Sequence, residues 1–229
     1  FGKLWLNGSI YKGKKPVYWC APCKTALAEA EVEYKDHHTP SIYVKFKMLS
    51  DIAAVRPKLA GKNVNVVIWT TTPWTIPANL AIAFHEEFIY AAIQVGDDVL
   101  ILAKELIDYC MDAFGFKSFE IIDEFPGAAM EGLKCKHPLY DKESILILAP
   151  FVTLDAGTGC VHIAPGHGQE DYEIGMEYGL ENYAPVDDDG NFTPDVEFFA
   201  GQFVFDANDP VSAKLKEVGA LLGLVDIEH

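Results

Sequence analysis

The residues best suited to chemistry begin with a polar run, Trp69-Thr70-Thr71-Thr72-Pro73-Trp74, which directly follows a strongly apolar segment. That segment, Val64 to Ile68, is typical of a buried β-strand. Buried hydroxyls need hydrogen-bond partners, so three successive threonines are unfavourable in a strand that only packs a core. Where a strand ends at a pocket, they supply short, stiff donors and acceptors. A β-rich segment followed by a proline-defined turn is the simpler alternative.

A second polar stretch, Gly157 to Asp171, carries two histidines and a carboxylate among glycines. It lacks the lysine and the glycine spacing of a phosphate-binding loop. We expect a strand at Cys160–Ile163, a Pro-Gly turn and a helix from about Gly168 to Tyr178. Asp171 then lies in the first helical turn, where the helix dipole favours a carboxylate. A cap is the simpler role for Asp171, and packing the simpler role for His162.

The remaining elements must position these two stretches. Alternation over Ser41–Met48 predicts a half-exposed strand with Tyr43 on its outer face. Helical spacing predicts a helix over Ala103–Phe114, and Asp209 is expected to cap a helix that runs to about Leu222. Further strands are predicted at Val64–Thr71, Ala81–Phe84, Phe88–Val95, Val99–Leu102, Phe119–Ile122 and Ser144–Leu148. This pattern predicts a mainly β, α+β fold: a β-barrel-like core with peripheral helices.

The 229 residues are divided into three parts. Residues 1–40 are expected to form a β-ribbon extension, with strand-like Val17-Tyr18-Trp19 and an alternating Ala28–Tyr34. Residues 41–209 are expected to form the barrel core and residues 210–229 a connecting helix. The chain begins at Phe1 in the middle of a pattern, which indicates a domain excised from a longer protein.

Composition limits the possible partners. A formal net charge of −16 argues against a large nucleic-acid surface, and only Lys12–Lys15 is locally basic. The apolar run Ile145–Val152 is too short to cross a membrane. Five cysteines without framework spacing favour a reducing, cytoplasmic location. Cys20 and Cys23 form a Cys-x-x-Cys pair, which is either half of a zinc site or two ordinary reduced thiols.

Together these stretches resemble the editing domain, or connective polypeptide, of the isoleucyl members of the class I aminoacyl-tRNA synthetases. Thr72 followed by Pro73-Trp74 favours the isoleucyl over the valyl and leucyl members. The resemblance covers nearly the whole chain and is carried by Tyr18-Trp19, Thr25–Tyr34, Trp69–Asn79, Gly157–Tyr172, Pro185–Gly190 and the helix from Asn208. The chain has no His-Ile-Gly-His or Lys-Met-Ser-Lys-Ser motif, so it should not activate amino acids by itself.

The resemblance implies a role for each candidate residue. Asp171 is expected to bind the α-ammonium group of the substrate, and His162 to limit the size of the pocket. Thr70, Thr71 and Thr72 are expected to contact the aminoacyl group and order water. Trp74 is expected to form a wall of the pocket, and Thr75 and Asn79 match positions implicated in editing.

The implied activity is hydrolysis of valyl-tRNA(Ile), because a synthetic pocket cannot fully reject a side chain one methylene smaller. No serine or cysteine lies beside a base, so water is expected to attack the ester directly. No cofactor is expected for editing, and zinc at Cys20 and Cys23 only in a full-length enzyme. The expected partners are the 3′ end of aminoacylated tRNA(Ile) and the rest of a monomeric synthetase in cis. A non-catalytic docking module and a valyl- or leucyl-type editing domain are the alternatives.

Overall fold

A computed structural model describes residues 1–10, 13–33 and 38–228. Lys12 and Tyr34, named above in the basic run and the alternating segment, lie outside the described residues. The helices are α1 (Gly2–Leu6), α2 (Ile107–Phe114), α3 (Gln169–Glu177) and α4 (Asn208–Glu217). The strands are β1 (Trp19–Cys20), β2 (Thr25–Ala26), β3 (His38–Met48), β4 (Asn63–Thr70), β5 (Ala81–Phe84), β6 (Ile89–Val95), β7 (Asp98–Ala103), β8 (Glu120–Pro126), β9 (Lys134–Lys136), β10 (Glu143–Leu148), β11 (Val161–Ile163) and β12 (Leu221–Glu228).

The core is a closed barrel, as the sequence predicted. Strands β3, β9, β10, β5, β11 and β4 are hydrogen-bonded neighbours in that order, and pairing of β4 with β3 closes the ring. From β4 the sheet continues outward through β7, β6 and β8, while β12 adds to β3. β11 lies between β4 and β5, with Val161 opposite Trp69 and His162 opposite Ile82. This register brings the end of the threonine strand beside His162.

The burial of β4 and β3 shows how much of each strand lies in the core. In β4 the run Val64–Ile68 is fully buried, and the exposed fraction rises only at Trp69 and Thr70. The outer face of β3 is less exposed than its alternation predicts. Tyr43 is only 1% exposed because its ring packs against Phe114 of α2, with ring centroids 5.0 Å apart. Both faces of the sheet are therefore buried at Tyr43, whereas alternation alone predicts one solvent-exposed face.

The predicted β-ribbon over residues 1–40 is much reduced. Within residues 1–10 and 13–33, which the structure describes, it consists of β1 and β2, paired with Trp19 opposite Ala26, and α1 precedes it. The alternating segment from Ala28 is not a strand, because Glu29–Glu31 forms a 3₁₀ helix. The Glu31 carboxylate accepts a hydrogen bond from the Ala28 N–H over 2.7 Å. This local bond competes with a ladder, and all three helical residues face solvent.

The C-terminal helix also differs from the prediction. α4 begins at Asn208 with Ala207 as its N-cap, so Asp209 and Pro210 lie in its first turn. Gly219, at φ +72°, follows the helix, and Leu221 onward pairs with β3. A left-handed glycine ends a helix readily, which leaves the apolar leucines to join the sheet. The expectation of a helix to Leu222 is therefore wrong, while the division at residue 210 stays a prediction.

The helix predicted over Ala103–Phe114 is split. Ala103 ends β7, a 3₁₀ turn covers Lys104–Leu106, and α2 follows until Gly115 at φ +74°. Among the described residues, none of the helices has the length and apolar character required to cross a membrane.

Candidate functional site

A cleft of about 360 Å³ brings the two polar stretches together at one end of the barrel. Thr70 and Thr71 line it from the end of β4, and His162 from β11. Asp171 reaches it from the first turn of α3. The sequence separates these groups by about ninety residues, and the register of β11 against β4 makes them neighbours.

Asp171 is held in place by the backbone. Its Oδ2 accepts a hydrogen bond from the Ala164 N–H over 2.8 Å. A β-carbon at Gly168, the N-cap of α3, would lie 2.9 Å from the Asp171 carboxyl carbon, so the missing side chain makes room for it. Burial raises the pKa of Asp171 to about 6, although the Ala164 hydrogen bond opposes the rise. Because Asp171 also lines the cleft, its carboxylate can accept hydrogen bonds from a cation there.

His162 is held at both ring nitrogens. Its Nε2 lies 3.0 Å from Thr75 Oγ1, and its Nδ1 lies 2.8 Å from Asn79 Nδ2. The Asn79 amide nitrogen also donates to the Ala81 carbonyl, which identifies it as the nitrogen. Nδ1 must therefore accept, and the ring proton lies on Nε2. His162 Nε2–H donates a hydrogen bond to Thr75 Oγ1, and the Thr75 hydroxyl donates to the Thr72 carbonyl over 2.8 Å.

This arrangement makes His162 a neutral, fixed wall. Burial, together with nearby His167 and Lys142, lowers the pKa of His162 to about 3. A ring with both nitrogens engaged and such a low pKa cannot act as a general base near pH 7. The ring can instead limit the size of the cleft, because Thr75 and Asn79 hold it in a fixed position.

The remaining predicted residues occupy three different places. Thr75 and Asn79 lie buried under His162 and do not line the cleft. Thr72 precedes the 3₁₀ helix Pro73–Ala78 and also lies outside the lining. Trp74 packs edge-on against His167, with centroids 4.9 Å apart, away from the lining residues. The substrate-binding role of Thr72 and Trp74 stays a prediction.

The glycine loop before β11 also lines the cleft, although none of its residues is assigned a role at the site from the sequence. Its backbone carbonyls accept hydrogen bonds from the core: Gly157 from the Cys110 thiol, Thr158 from the Ala103 N–H and Gly159 from the Tyr90 hydroxyl. Gly157 and Gly159 both have φ above +70°. The paired glycines were the only signal in the sequence for a loop pressed this closely against the barrel.

The charge of the cleft favours a cation. Asp155 and Glu170 line it with Asp171, and its lining in the described chain includes no lysine or arginine. Glu170 also raises the pKa of Asp171 through like-charge repulsion. An ammonium group is therefore a better ligand for this end of the cleft than a phosphate.

Cys20 ends β1, and Cys23 lies in the turn that leads to β2. A hydrogen bond with Cys20 raises the pKa of Cys23, so the two thiols are adjacent. The described residues contain no cluster of three or more histidine, cysteine or acidic side chains arranged for a metal. The ribbon that carries the pair contacts the turn at residues 187–190, because Trp19 Nε1 donates to the Asp188 carbonyl and Lys24 pairs with Asp189. Zinc at this place stays a prediction.

Comparison with known proteins defines the class. Residues 1–186 match the family model described as tRNA synthetases class I (I, L, M and V), and the chain belongs to that family. The editing domain of the cytosolic leucyl-tRNA synthetase of P. knowlesi has the same fold. It superposes with a TM-score of 0.65 at 11% identity, covering 83% of this chain and 97% of that one.

Among individual proteins, the chain is similar to isoleucine–tRNA ligases. It is 57% identical over 223 residues to that of Geobacter sulfurreducens, covering 97% of this chain. It is 53% identical over 232 residues to that of Desulfovibrio desulfuricans, covering 99% of this chain. In each case the chain spans 24% of the relative's length. The predicted mainly β editing-domain fold is thus confirmed.

Proposed function

We propose that this chain hydrolyses the ester of misacylated valyl-tRNA(Ile), as part of an isoleucyl-tRNA synthetase in the cytoplasm. The observation that carries the proposal is the position of Asp171 in an acidic cleft beside the fixed His162 ring. The relatives named isoleucine–tRNA ligase support the choice of tRNA. The rest of the synthetase in cis would supply most of the tRNA contact, because this chain is strongly acidic.

The geometry supports a division of labour. Asp171 would hold the α-ammonium group of the aminoacyl ester with its carboxylate. His162 would meet the aliphatic side chain and leave room for valine but not for the extra methylene of isoleucine. One methylene in such a pocket is worth only ~1–3 kcal/mol in an attractive contact, and rejection by a rigid wall is stronger than that.

Thr70 and Thr71 would contact the ester and the attacking water. Thr70 Oγ1 accepts a hydrogen bond from the Thr72 N–H over 3.1 Å, which leaves its hydroxyl proton for a group in the cleft. Water attacks the ester carbonyl and gives up a proton to solvent. The tetrahedral intermediate then collapses to the valine carboxylate, and the 3′-terminal ribose oxygen leaves with a proton taken from solvent. Positioning and hydrogen bonding to the developing oxyanion suffice for an ester this labile.

The test is Asp171→Ala in the full-length synthetase that carries this chain. Deacylation of valyl-tRNA(Ile) should fall by on the order of a hundredfold or more, since the substrate loses its ammonium anchor. Glu173→Ala is the matched control, because Glu173 lies on the same helix, faces solvent and pairs with Gln169. Wild-type deacylation by the Asp171 variant would contradict the proposal and favour a docking module whose catalysis lies elsewhere.

A further inference from the structure

The hairpin formed by β9 and β10 contacts the Ile76–Asn79 segment, and Asn79 in that segment binds His162. Three of its side chains contact consecutive parts of that segment. His137 Nε2 lies 2.9 Å from the Ile76 carbonyl, Lys142 Nζ donates to the Pro77 carbonyl over 2.8 Å, and Ser144 Oγ donates to Asn79 Oδ1 over 2.7 Å. None of the three lines the cleft.

Each contact has a fixed direction. His137 Nδ1 accepts hydrogen bonds from the Leu139 and Tyr140 N–H groups, so its Nε2 carries the proton and donates to Ile76. Burial lowers the pKa of His137 to about 3, which keeps it in this one form. The ring also stacks on Tyr140, with centroids 5.0 Å apart.

Lys142 is an unusual group for a hairpin turn. Its ammonium lies 5.7 Å from the ring centre of Tyr140 and 5.3 Å from that of Tyr183. Burial lowers its pKa to about 8, which leaves it mostly protonated at pH 7. Glu181, Asp195 and Glu197 line the same cavity of about 320 Å³. A half-buried cation that donates to a turn carbonyl fixes that turn more firmly than a neutral donor does.

Ser144 completes the chain of contacts to the cleft. It is fully buried, and the Asn79 oxygen that it contacts belongs to the amide whose nitrogen binds His162. Movement of Pro77 or Asn79 would therefore move the His162 ring. A ring that must exclude one methylene can tolerate little movement.

We propose that Lys142 and Ser144 are positioning residues which, through Pro77 and Asn79, set how well the His162 wall separates the valyl from the isoleucyl ester. The proposal rests on the function proposed above. It assigns a specificity role to a hairpin that touches neither the cleft nor the substrate.

The test compares deacylation of valyl- and isoleucyl-tRNA(Ile) by full-length synthetases carrying Lys142→Met or Ser144→Ala. Each variant should lower the ratio of the two kcat/KM values by about fivefold to tenfold, the scale of one lost buried hydrogen bond. The fall should come mainly from faster cleavage of the isoleucyl ester. Lys142→Arg, which keeps the cation and its donors, should restore most of the ratio.

Lys45→Met is the matched control, because Lys45 is also a half-buried lysine but pairs with Asp98 over 2.6 Å, away from the Pro73–Asn79 segment. It should lower the midpoint of thermal unfolding without changing the ratio. If the wild type discriminates and both hairpin variants keep its ratio while losing stability, the hairpin only stabilises the fold and the inference is wrong. If the wild type cleaves neither ester, the proposed function fails first.

Discussion

His162 Nδ1 accepts a hydrogen bond from Asn79 Nδ2 over 2.8 Å, and this contact decides what the histidine can do. Because Nδ1 accepts, the ring proton lies on Nε2, which donates a hydrogen bond to Thr75 Oγ1. Neither nitrogen is left to move a proton for a substrate. The ring is thus held as a neutral surface, and its support comes from two residues that never meet the cleft.

We expect Asn79→Ala to be strongly destabilising. The change removes the partner of His162 Nδ1, of the Ala81 carbonyl and of the Ser144 hydroxyl in a fully buried place. Unpaired buried groups cost about 1–3 kcal/mol each, so a loss of roughly 2–4 kcal/mol is expected after relaxation. Urea unfolding monitored by tryptophan fluorescence measures it. Asn182→Ala, which removes one exposed hydrogen bond to the Lys14 carbonyl, should change the free energy of unfolding by less than about 0.5 kcal/mol.

We expect His162→Ala to let the cleft accept the isoleucyl ester. Thr75 and Asn79 hold the His162 ring in place, and removing the ring enlarges the cleft. Isoleucyl-tRNA(Ile) should then be deacylated at a rate approaching that of the valyl ester. Deacylation of both charged tRNAs by the full-length synthetase measures this. His85→Ala removes a histidine that stacks on Phe88 instead, and it should leave discrimination unchanged. If only the valyl ester is cleaved by the His162 variant, another residue forms the wall.

The sequence identified residues that line the cleft, but it did not predict the hydrogen bonds that hold them in position. Thr70 and Asp171 could be found because hydroxyls after a buried run, and a carboxylate in a first helical turn, are local patterns. The Asn79–His162 bond could not be found that way. It depends on the register of β11 between β4 and β5, which places residues 83 positions apart in contact. The contacts of Lys142 and Ser144 depend likewise on where β10 pairs with β5.

Local patterns failed where tertiary pairing or exposure decides the outcome. The alternation over Ala28–Tyr34 predicted a strand, yet its described part pairs with no strand, and the Glu31 bond to the Ala28 N–H closes a turn instead. The apolar spacing up to Leu222 predicted that the C-terminal helix continues, but the chain from Leu221 pairs with β3 as a strand. In both cases the same apolar spacing fits either structure until a partner is known.

We expect the charged form of Asp171 to destabilise the folded chain, although the same charge is proposed to bind the substrate's ammonium group. Its folded pKa of about 6 exceeds the ordinary value of 3.8, so its contribution to stability is full below pH 3.8 and is lost as the pH rises through 6. Asp171→Asn should therefore stabilise the chain at pH 8 by roughly 1–3 kcal/mol, and by little at pH 4. Thermal unfolding at the two pH values measures the difference. Glu173→Gln on the same helix should show no such dependence, and an equal shift in both variants would contradict the assignment.

The glycine loop offers a test of how closely the cleft must fit the barrel. A β-carbon at Gly159 would lie 2.5 Å from the Ala103 β-carbon, on a backbone at φ +71°. Gly159→Ala should cost about 1–2 kcal/mol for the left-handed conformation and about 1–3 kcal/mol for the clash. Gly61→Ala has the same φ of +71° with open space around it, so it isolates the conformational part.

The clash should also reach the cleft, because Thr158 is held to Ala103 by its carbonyl and lines the cleft wall. Gly159→Ala should lower deacylation of valyl-tRNA(Ile), whereas Gly61→Ala should not. Adding Ala103→Gly removes the opposing β-carbon and should restore most of the activity and the clash part of the stability. Failure of this rescue, with Gly159→Ala no worse than Gly61→Ala, would mean that the loop adjusts freely and that its packing on the barrel does not shape the cleft.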